Sequence, residues 1–337
     1  MGFSDKVFKT LYRAGSRLLL GSGDNADWIH EKVQRPGNVL ALARNMACYY
    51  LQLPLIPEIF NLTIEPVFGC NLRCRYCFCW GESAPELTGL RPDLMPWPLF
   101  RKAIDEAPNS LEAVTFVGMG EPLLHPRFSE MADYCADRGL RSIVYTNGTL
   151  LTGGVLERLA ASRLSVLTVS VEADAEASRE FRGVDNAVIR RNLERFIELK
   201  RPETEVKLSI VAHEKNADRF ENARREWGAL VTNVKANPRM GYEGSGSPPV
   251  CMEPWRGNVL VLTDGQVSPC CLDCKPDLVI GNLNEQSLGE ILQGDAFHEL
   301  IQRIISGNAP DRCVKCSEFS ATGLPRKAPK RKPRRSG

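Results

Sequence analysis

Cys70-Asn-Leu-Arg-Cys74-Arg-Tyr-Cys77 places three thiols within one short loop, separated by three and then two residues. The chain holds 12 cysteines in 337 residues and opens without a secretory signal pattern. That usage predicts a reducing, cytoplasmic setting in which close cysteine spacings mean metal rather than disulfides. A [4Fe–4S] cube takes one thiolate per iron, so three thiolates leave one iron with an open position for a small molecule. Cys-x2-Cys elements also serve tetrahedral zinc, which is the alternative reading of the loop.

Outward from the loop, between about residues 58 and 237, apolar strand-like runs alternate with helical patterns, the signature of βα units and a parallel sheet. Strands are expected at Asn61–Val67, Ala113–Met119, Arg141–Thr146, Ser165–Val171, Val206–Ala212 and Leu230–Lys235, with helices near 97–107, 127–138, 154–161, 186–200 and 216–227. Strand number alone does not separate a partial barrel from an open doubly wound sheet.

Functional groups in parallel α/β folds gather at the carboxyl ends of the strands. Gly118-Met119-Gly120-Glu121-Pro122 follows the second expected strand, Tyr145-Thr146-Asn147-Gly148 ends the third, and Ser170-Val171-Glu172 ends the fourth. Ser170 and Glu172 fall on one face because strand side chains alternate.

In this order the motifs resemble the radical S-adenosylmethionine (radical SAM) superfamily. The resemblance implies an α/β partial (β/α)6 barrel and a [4Fe–4S] cluster on Cys70, Cys74 and Cys77, whose open iron binds S-adenosylmethionine (SAM). It implies an enzyme that reductively cleaves SAM to a 5′-deoxyadenosyl radical and takes a hydrogen atom from its substrate. Tyr76 matches the aromatic position beside the adenine. Gly118, Gly120 and Glu121 match the GGEP element that binds the SAM amino group, with Met119 replacing the usual middle glycine. Asn147 lies at the pocket rim, and Ser170 and Glu172 match the ribose and carboxylate contacts. Arg182 is a further candidate for the SAM carboxylate. A low-potential electron donor such as flavodoxin or ferredoxin is the expected redox partner.

Residues 241–250, rich in glycine, serine and proline, read as a linker. Beyond it, Cys251, Cys270 (four residues after Gly265), Cys313 and Cys316 resemble the SPASM/twitch extensions that carry auxiliary iron–sulfur clusters. Asp264-Gly265 between Val259–Leu262 and Gln266–Ser268 is a hairpin signal that brings Cys270 back towards Cys251, and a helix is expected near 286–305. Four thiolates satisfy one [4Fe–4S] cluster or one zinc; the resemblance implies one auxiliary [4Fe–4S] cluster. Cys271 and Cys274 compete with Cys270 as ligands, and Cys271 is the candidate hydrogen-atom donor if the reaction is an epimerisation. Cys79, Cys48 and Cys135 read as packing cysteines. The expected organisation is an N-terminal helical segment at 1–57, the barrel at 58–240, the auxiliary region at 241–319 and a disordered basic tail at 320–337.

A formal charge of +2, from 43 basic and 41 acidic residues, argues against nucleic acid as an obligatory partner. Phe3, Val7, Leu11, Leu18 and Leu19 recur at helical spacing opposite Lys6, Lys9, Arg13 and Arg17, a basic amphipathic pattern that packs on the barrel or makes a peripheral membrane contact. Val39–Leu55 reads as a second packed or interfacial helix. The N-terminal segment is short for a leader-peptide-binding domain, which favours a small-molecule or lipid-like substrate over a peptide. The leading expectation is oxidation or radical bond formation; radical epimerisation, and a non-catalytic iron–sulfur or zinc protein, are the alternatives.

Overall fold

A computed structural model describes residues 35–82, 93–212, 219–238, 250–273, 277–314 and 316. The amphipathic pattern at residues 3–19, nearly all of the 241–250 linker, Cys274 and the basic tail lie outside the described residues. Helix α1 (Pro36–Leu51) precedes six βα-type strands: β1 (Asn61–Ile64), β2 (Ala113–Phe116), β3 (Arg141–Thr146), β4 (Val166–Val171), β5 (Glu205–Ala212) and β6 (Asn233–Pro238). Helices α2 (Trp97–Asp105), α3 (Phe128–Asp137), α4 (Gly153–Ala161), α5 (Ala175–Arg182), α6 (Asn186–Leu199) and α7 (Phe220–Gly228) run between them. After a 3-10 turn at Glu253–Arg256 come β7 (Asn258–Val261), β8 (Gln266–Ser268), β9 (Gly281–Asn282), α8 (Leu288–Gln293), α9 (Asp295–Ser306) and α10 (Asp311–Val314).

One nine-stranded sheet runs β6-β5-β4-β3-β2-β1-β7-β8-β9. All pairs from β6 to β1 are parallel, as a partial barrel requires. The C-terminal region continues the same sheet: β7 pairs parallel with β1, Asn61 opposite Asn258, and β8 and β9 then add antiparallel.

Strand alternation gives the sheet two unlike faces. On one, Leu62, Ile64, Val114, Phe116, Val144, Leu167, Val169, Val206, Leu208 and Val234 form one apolar core with helix residues such as Phe100, Phe128, Leu156, Leu193, Phe196 and Trp227. Burial of these side chains, each contributing about 1.5–3 kcal/mol, holds the helices outside. The other parity is polar: Asn61, Thr63, Thr115, Thr168 and Ser209 are buried there. Small apolar clusters interrupt it, one of Ala113, Ile143 and Val166 and another that includes Leu260 of β7. The side chains of Asn61, Thr63, Thr115 and Asn258 bond one another at 2.8 Å for Thr63 to Asn258 and for Thr115 to Asn61.

The structure differs from expectation at several points. The first strand stops at Ile64 because Pro66 lacks an N–H, and Val67 instead pairs antiparallel with Leu94. The single helix near 286–305 is two, broken at Gly294, whose extended φ −73°, ψ 159° ends α8 and starts α9. Helix α5 was not foreseen. It is short and strongly charged, but Asp174 caps its N-terminus by accepting from Ala177 N–H at 2.8 Å, and Gly183 closes it at φ 71°.

Candidate active site

The cysteine loop follows the carboxyl end of β1 and is held from three sides. Within it, Cys77 N–H donates to Cys74 O and Gly81 N–H to Cys77 O, both at 2.9 Å. A Cβ on Gly81 would stand 2.5 Å from Cys77 O and 2.7 Å from Cys74 O, so the coil closes this tightly only with glycine there. Arg75 N–H donates to Phe181 O of α5 at 2.7 Å, which is the positional role of the unforeseen helix.

The three thiols differ electrostatically. The Cys79 thiol, followed by the N–H groups of Cys79, Trp80 and Gly81, draws Cys77 down to about 6 against the effect of burial. Burial pushes Cys70 and Cys74 up, opposed at Cys70 by the Leu72 N–H and at Cys74 by Arg182. Cys79 therefore does more than pack. The sequence signal was its position two residues after the last cysteine of the loop, where chain reversal aims its thiol at Cys77.

The Gly118–Pro122 turn at the end of β2 lies directly against the chain entering the loop. Glu121 N–H donates to Gly69 O at 2.9 Å, and a Cβ on Gly120 would be 2.2 Å from Val67 O and 2.4 Å from Gly69 O. Gly118 likewise leaves room for the buried Glu65 side chain, whose Oε1 accepts Met119 N–H at 3.0 Å and whose Oε2 accepts Thr263 N–H at 3.3 Å. Glu65 was missed in the sequence. It joins β1, the glycine turn and the β7–β8 hairpin. The Met119 carbonyl accepts the Trp80 indole N–H, and Met119 Sδ lies 3.3 Å from Cys79 Sγ.

Glu121 is 2% exposed. Its carboxylate accepts Thr146 Oγ1–H at 2.7 Å, Asn147 N–H at 2.8 Å and Leu123 N–H at 3.1 Å, and burial, the largest influence, raises its pKa despite these donors. Asn147 in turn donates to Asn71 Oδ1 at 2.8 Å and lies 3.9 Å from Cys70 Sγ. Gly148, at φ 76°, lets the β3 end turn against Val169 and Ile189.

On the β4 side, Tyr76 O–H donates to Glu172 Oε1. Burial pushes both groups up, and the nearby carboxylate raises Tyr76 further. Arg182 is 6% exposed and donates through Nη1 to Ser170 O. It also reaches Cys74 and faces Glu172, Tyr76 and Glu121. Its Nε–H is buried and has no acceptor among the described residues. A buried guanidinium with a spare donor suits a bound carboxylate. Tyr76, Asn147, Ser170 and Glu172 thus surround the thiols, and Arg182 stands closer to them than its place in the sequence suggested.

The C-terminal thiols gather separately. Cys251, Cys313 and Cys316 are buried and Cys270 and Cys271 half-buried. Cys251 is within electrostatic reach of Cys313 and Cys316, and Cys270 of Cys271 and Cys251. Burial raises Cys251 and Cys270 strongly and pushes Cys313 up to about 11. Asp273, fully buried, accepts Leu278 N–H at 3.0 Å and pairs with Arg312, clasping the Cys270 turn to α10, which carries Cys313. Among the described residues no three His, Cys, Asp or Glu side chains converge closely enough to hold one metal ion. Cys48 and Cys135 are buried in the helix-side core, as expected for packing.

A family model for the radical SAM superfamily matches residues 64–226, and one for the SPASM iron–sulfur cluster-binding domain matches residues 251–317. The chain belongs to the radical SAM superfamily. It is accordingly an enzyme-family member with a [4Fe–4S] cluster, SAM and an auxiliary iron–sulfur site, and the thiol loop, the open Arg182 donor and the second thiol group fit those cofactors. It is 32% identical over 175 residues to the AdoMet-dependent heme synthase of Methanosarcina barkeri, covering 50% of this chain and 48% of that protein. It is 26% identical over 273 residues to the S-adenosyl-L-methionine-dependent 2-deoxy-scyllo-inosamine dehydrogenase of Niallia circulans, covering 78% of this chain and 95% of that one. The chain thus spans about half the length of the first radical SAM relative and nearly all of the second. The structure of anSMEcpe with bound AdoMet (16% identity, TM-score 0.59, 79% of this chain and 91% of that chain) shows the same fold. So does BtrN in complex with AdoMet and 2-DOIA (19% identity, TM-score 0.51, 78% and 94%). No described helix of this radical SAM protein is long and apolar enough to cross a membrane.

Two outcomes test this geometry. In the metal-free protein, iodoacetamide should label Cys77 with a half-maximal rate near pH 6, because its folded pKa is depressed to about 6. Cys251 and Cys270, raised by burial, should stay slow at neutral pH; peptide mass mapping across pH reads both. Gly120→Ala should cost about 2 kcal/mol or more in stability and reduce bound iron, read by calorimetry and iron analysis.

Proposed function

We propose that the protein catalyses a two-electron oxidation of a small polar molecule, begun by hydrogen-atom abstraction. When bound, SAM on the open iron of the cluster supplies a 5′-deoxyadenosyl radical. Cys70, Cys74 and Cys77 hold that cluster. Arg182 binds the SAM carboxylate, while Ser170 and Glu172 take its remaining polar groups and Tyr76 flanks the adenine. The Gly118–Gly120 backbone would receive the SAM amino group, and Glu121 fixes that backbone and Asn147 in place.

The observation that supports oxidation is the second group of thiols. Cys251, Cys270, Cys313 and Cys316 give the protein four ligands for one auxiliary cluster, which leaves it closed to substrate and suited to receive an electron. These thiols lie beyond the amino end of β7, whereas the cysteine loop follows the carboxyl end of β1, its parallel neighbour. The strands separate the two by three residue steps, roughly 10 Å, plus the loops. An auxiliary cluster held by these four thiols would take up the second electron of the oxidation, with the accompanying proton leaving to solvent. The similarity to a 2-deoxy-scyllo-inosamine dehydrogenase, over 78% of this chain and 95% of that one, supports a small substrate, although one fold neighbour, SuiB, was solved with a precursor peptide. Cys271 lies among the auxiliary thiols, away from the loop that holds SAM, which makes epimerisation the weaker reading.

Anaerobically reconstituted protein with SAM and dithionite should form 5′-deoxyadenosine, slowly without substrate. Cys74→Ala should lower that at least a hundredfold. Cys316→Ala should keep a third or more of it while losing substrate oxidation. Equal loss of 5′-deoxyadenosine in both variants contradicts separate roles for the two sites.

A further inference from the structure

Both backbone polar groups of Met119 are held by side chains from other segments. Its N–H donates to Glu65 Oε1 at 3.0 Å, and its carbonyl accepts the Trp80 indole N–H. Glu65 is fully buried one residue past the end of β1. Its own N–H donates to Val261 O at 2.9 Å, and its second carboxylate oxygen accepts Thr263 N–H at 3.3 Å. The side chain lies flat against Gly118: a Cβ there would stand 2.8 Å from Glu65 Cγ and 3.2 Å from Oε1, so a side chain at 118 would displace the carboxylate.

The bond from Met119 to Glu65 sets the direction of a second group. The 118–119 peptide is trans, and in a planar trans peptide the N–H and the preceding carbonyl point in opposite directions. β2 lies between β1 and β3. Because the Met119 N–H points back to Glu65 on the β1 side, the Gly118 carbonyl faces the β3–β4 side, where Asn147 follows β3 and Arg182 bonds Ser170 O of β4. That carbonyl accepts from no described backbone group. A neutral side chain with a single acceptor could also hold Met119, but a carboxylate engages one N–H on each oxygen. Glu65 therefore cannot turn away from Met119 without also giving up Thr263.

We propose that Glu65 is a positioning residue for the SAM amino group. By holding the Met119 N–H it aims the Gly118 carbonyl at an N–H of that amino group, and the Thr263 bond keeps the carboxylate from rotating out of place. Glu65 acts through Gly118 and not by contact with SAM. This rests on the functional reading above, in which the glycine turn receives the amino group, and adds the residue that orients the turn.

Anaerobic equilibrium dialysis of the cluster-loaded protein with two ligands separates aiming from mere support of the fold. One ligand is SAM; the other is S-adenosyl-4-methylthiobutanoate, which lacks the amino group. Glu65→Met, close to Glu in volume, should raise the Kd for SAM about tenfold, the worth of one hydrogen bond to a charged group, and leave the Kd for the analogue within about twofold. Glu65→Gln keeps one of the two oxygens and should raise the Kd for SAM by less, about threefold, again without moving the analogue. If Glu65→Met does not retain iron, the Gln variant decides by the same comparison. Equal weakening of both ligands would show only a structural role and overturn the proposal, as would an unchanged Kd for SAM. Wild type that binds SAM no more tightly than the analogue would instead remove the assignment of the turn to the amino group, so the two failures are distinguishable.

Discussion

A single carboxylate out of water holds the catalytic end of this barrel together. Glu121 accepts from Thr146, Asn147 and Leu123, and its own N–H donates to Gly69 beside the first cysteine. The ends of β1, β2 and β3 are thereby fixed relative to one another. Transferring such a carboxylate from water costs several kcal/mol unless donors replace the lost solvent, and the donors here all come from the segments that must be aligned. The missing Cβ atoms of Gly118 and Gly120 let those segments approach that closely. Rigid placement of this kind favours chemistry in which a reactive radical must meet one hydrogen atom and no other.

The sheet carries this arrangement through its two faces. One face packs apolar side chains under the helices and supplies most of the stabilisation. The other gives up apolar burial for hydroxyls, amides and cations, part of which bond one another. Continuation of the sheet through β7, which pairs with β1, ties the segment that carries Cys251 to the strand that leads into the cysteine loop. The two sites are therefore set by one rigid element, and Glu65 reinforces it by bonding both the glycine turn and Thr263 of the hairpin.

Much of this was legible in the sequence, for identifiable reasons. The cysteine spacing, the glycine turn and the polar residues at strand ends are local signals, and β3 and the Asp264-Gly265 hairpin fell where alternation and turn chemistry put them. Helix α5 was hidden because it is short and has almost no apolar stripe; its stability comes from the Asp174 cap and Gly183. The helix break at Gly294 was obscured by apolar periodicity on both sides. Glu65, Cys79 and the centrality of Arg182 depend on contacts between distant segments, which a linear pattern does not record.

The central claim is that three thiolates leave one iron free to bind SAM. Electron–nuclear double resonance on the reduced protein, with the auxiliary site removed by Cys251→Ala/Cys316→Ala and SAM labelled with 17O at its carboxylate and 15N at its amine, measures this directly. The account predicts hyperfine coupling of both nuclei to the cluster. A reduced cluster whose signal is indifferent to SAM and shows neither coupling would contradict it.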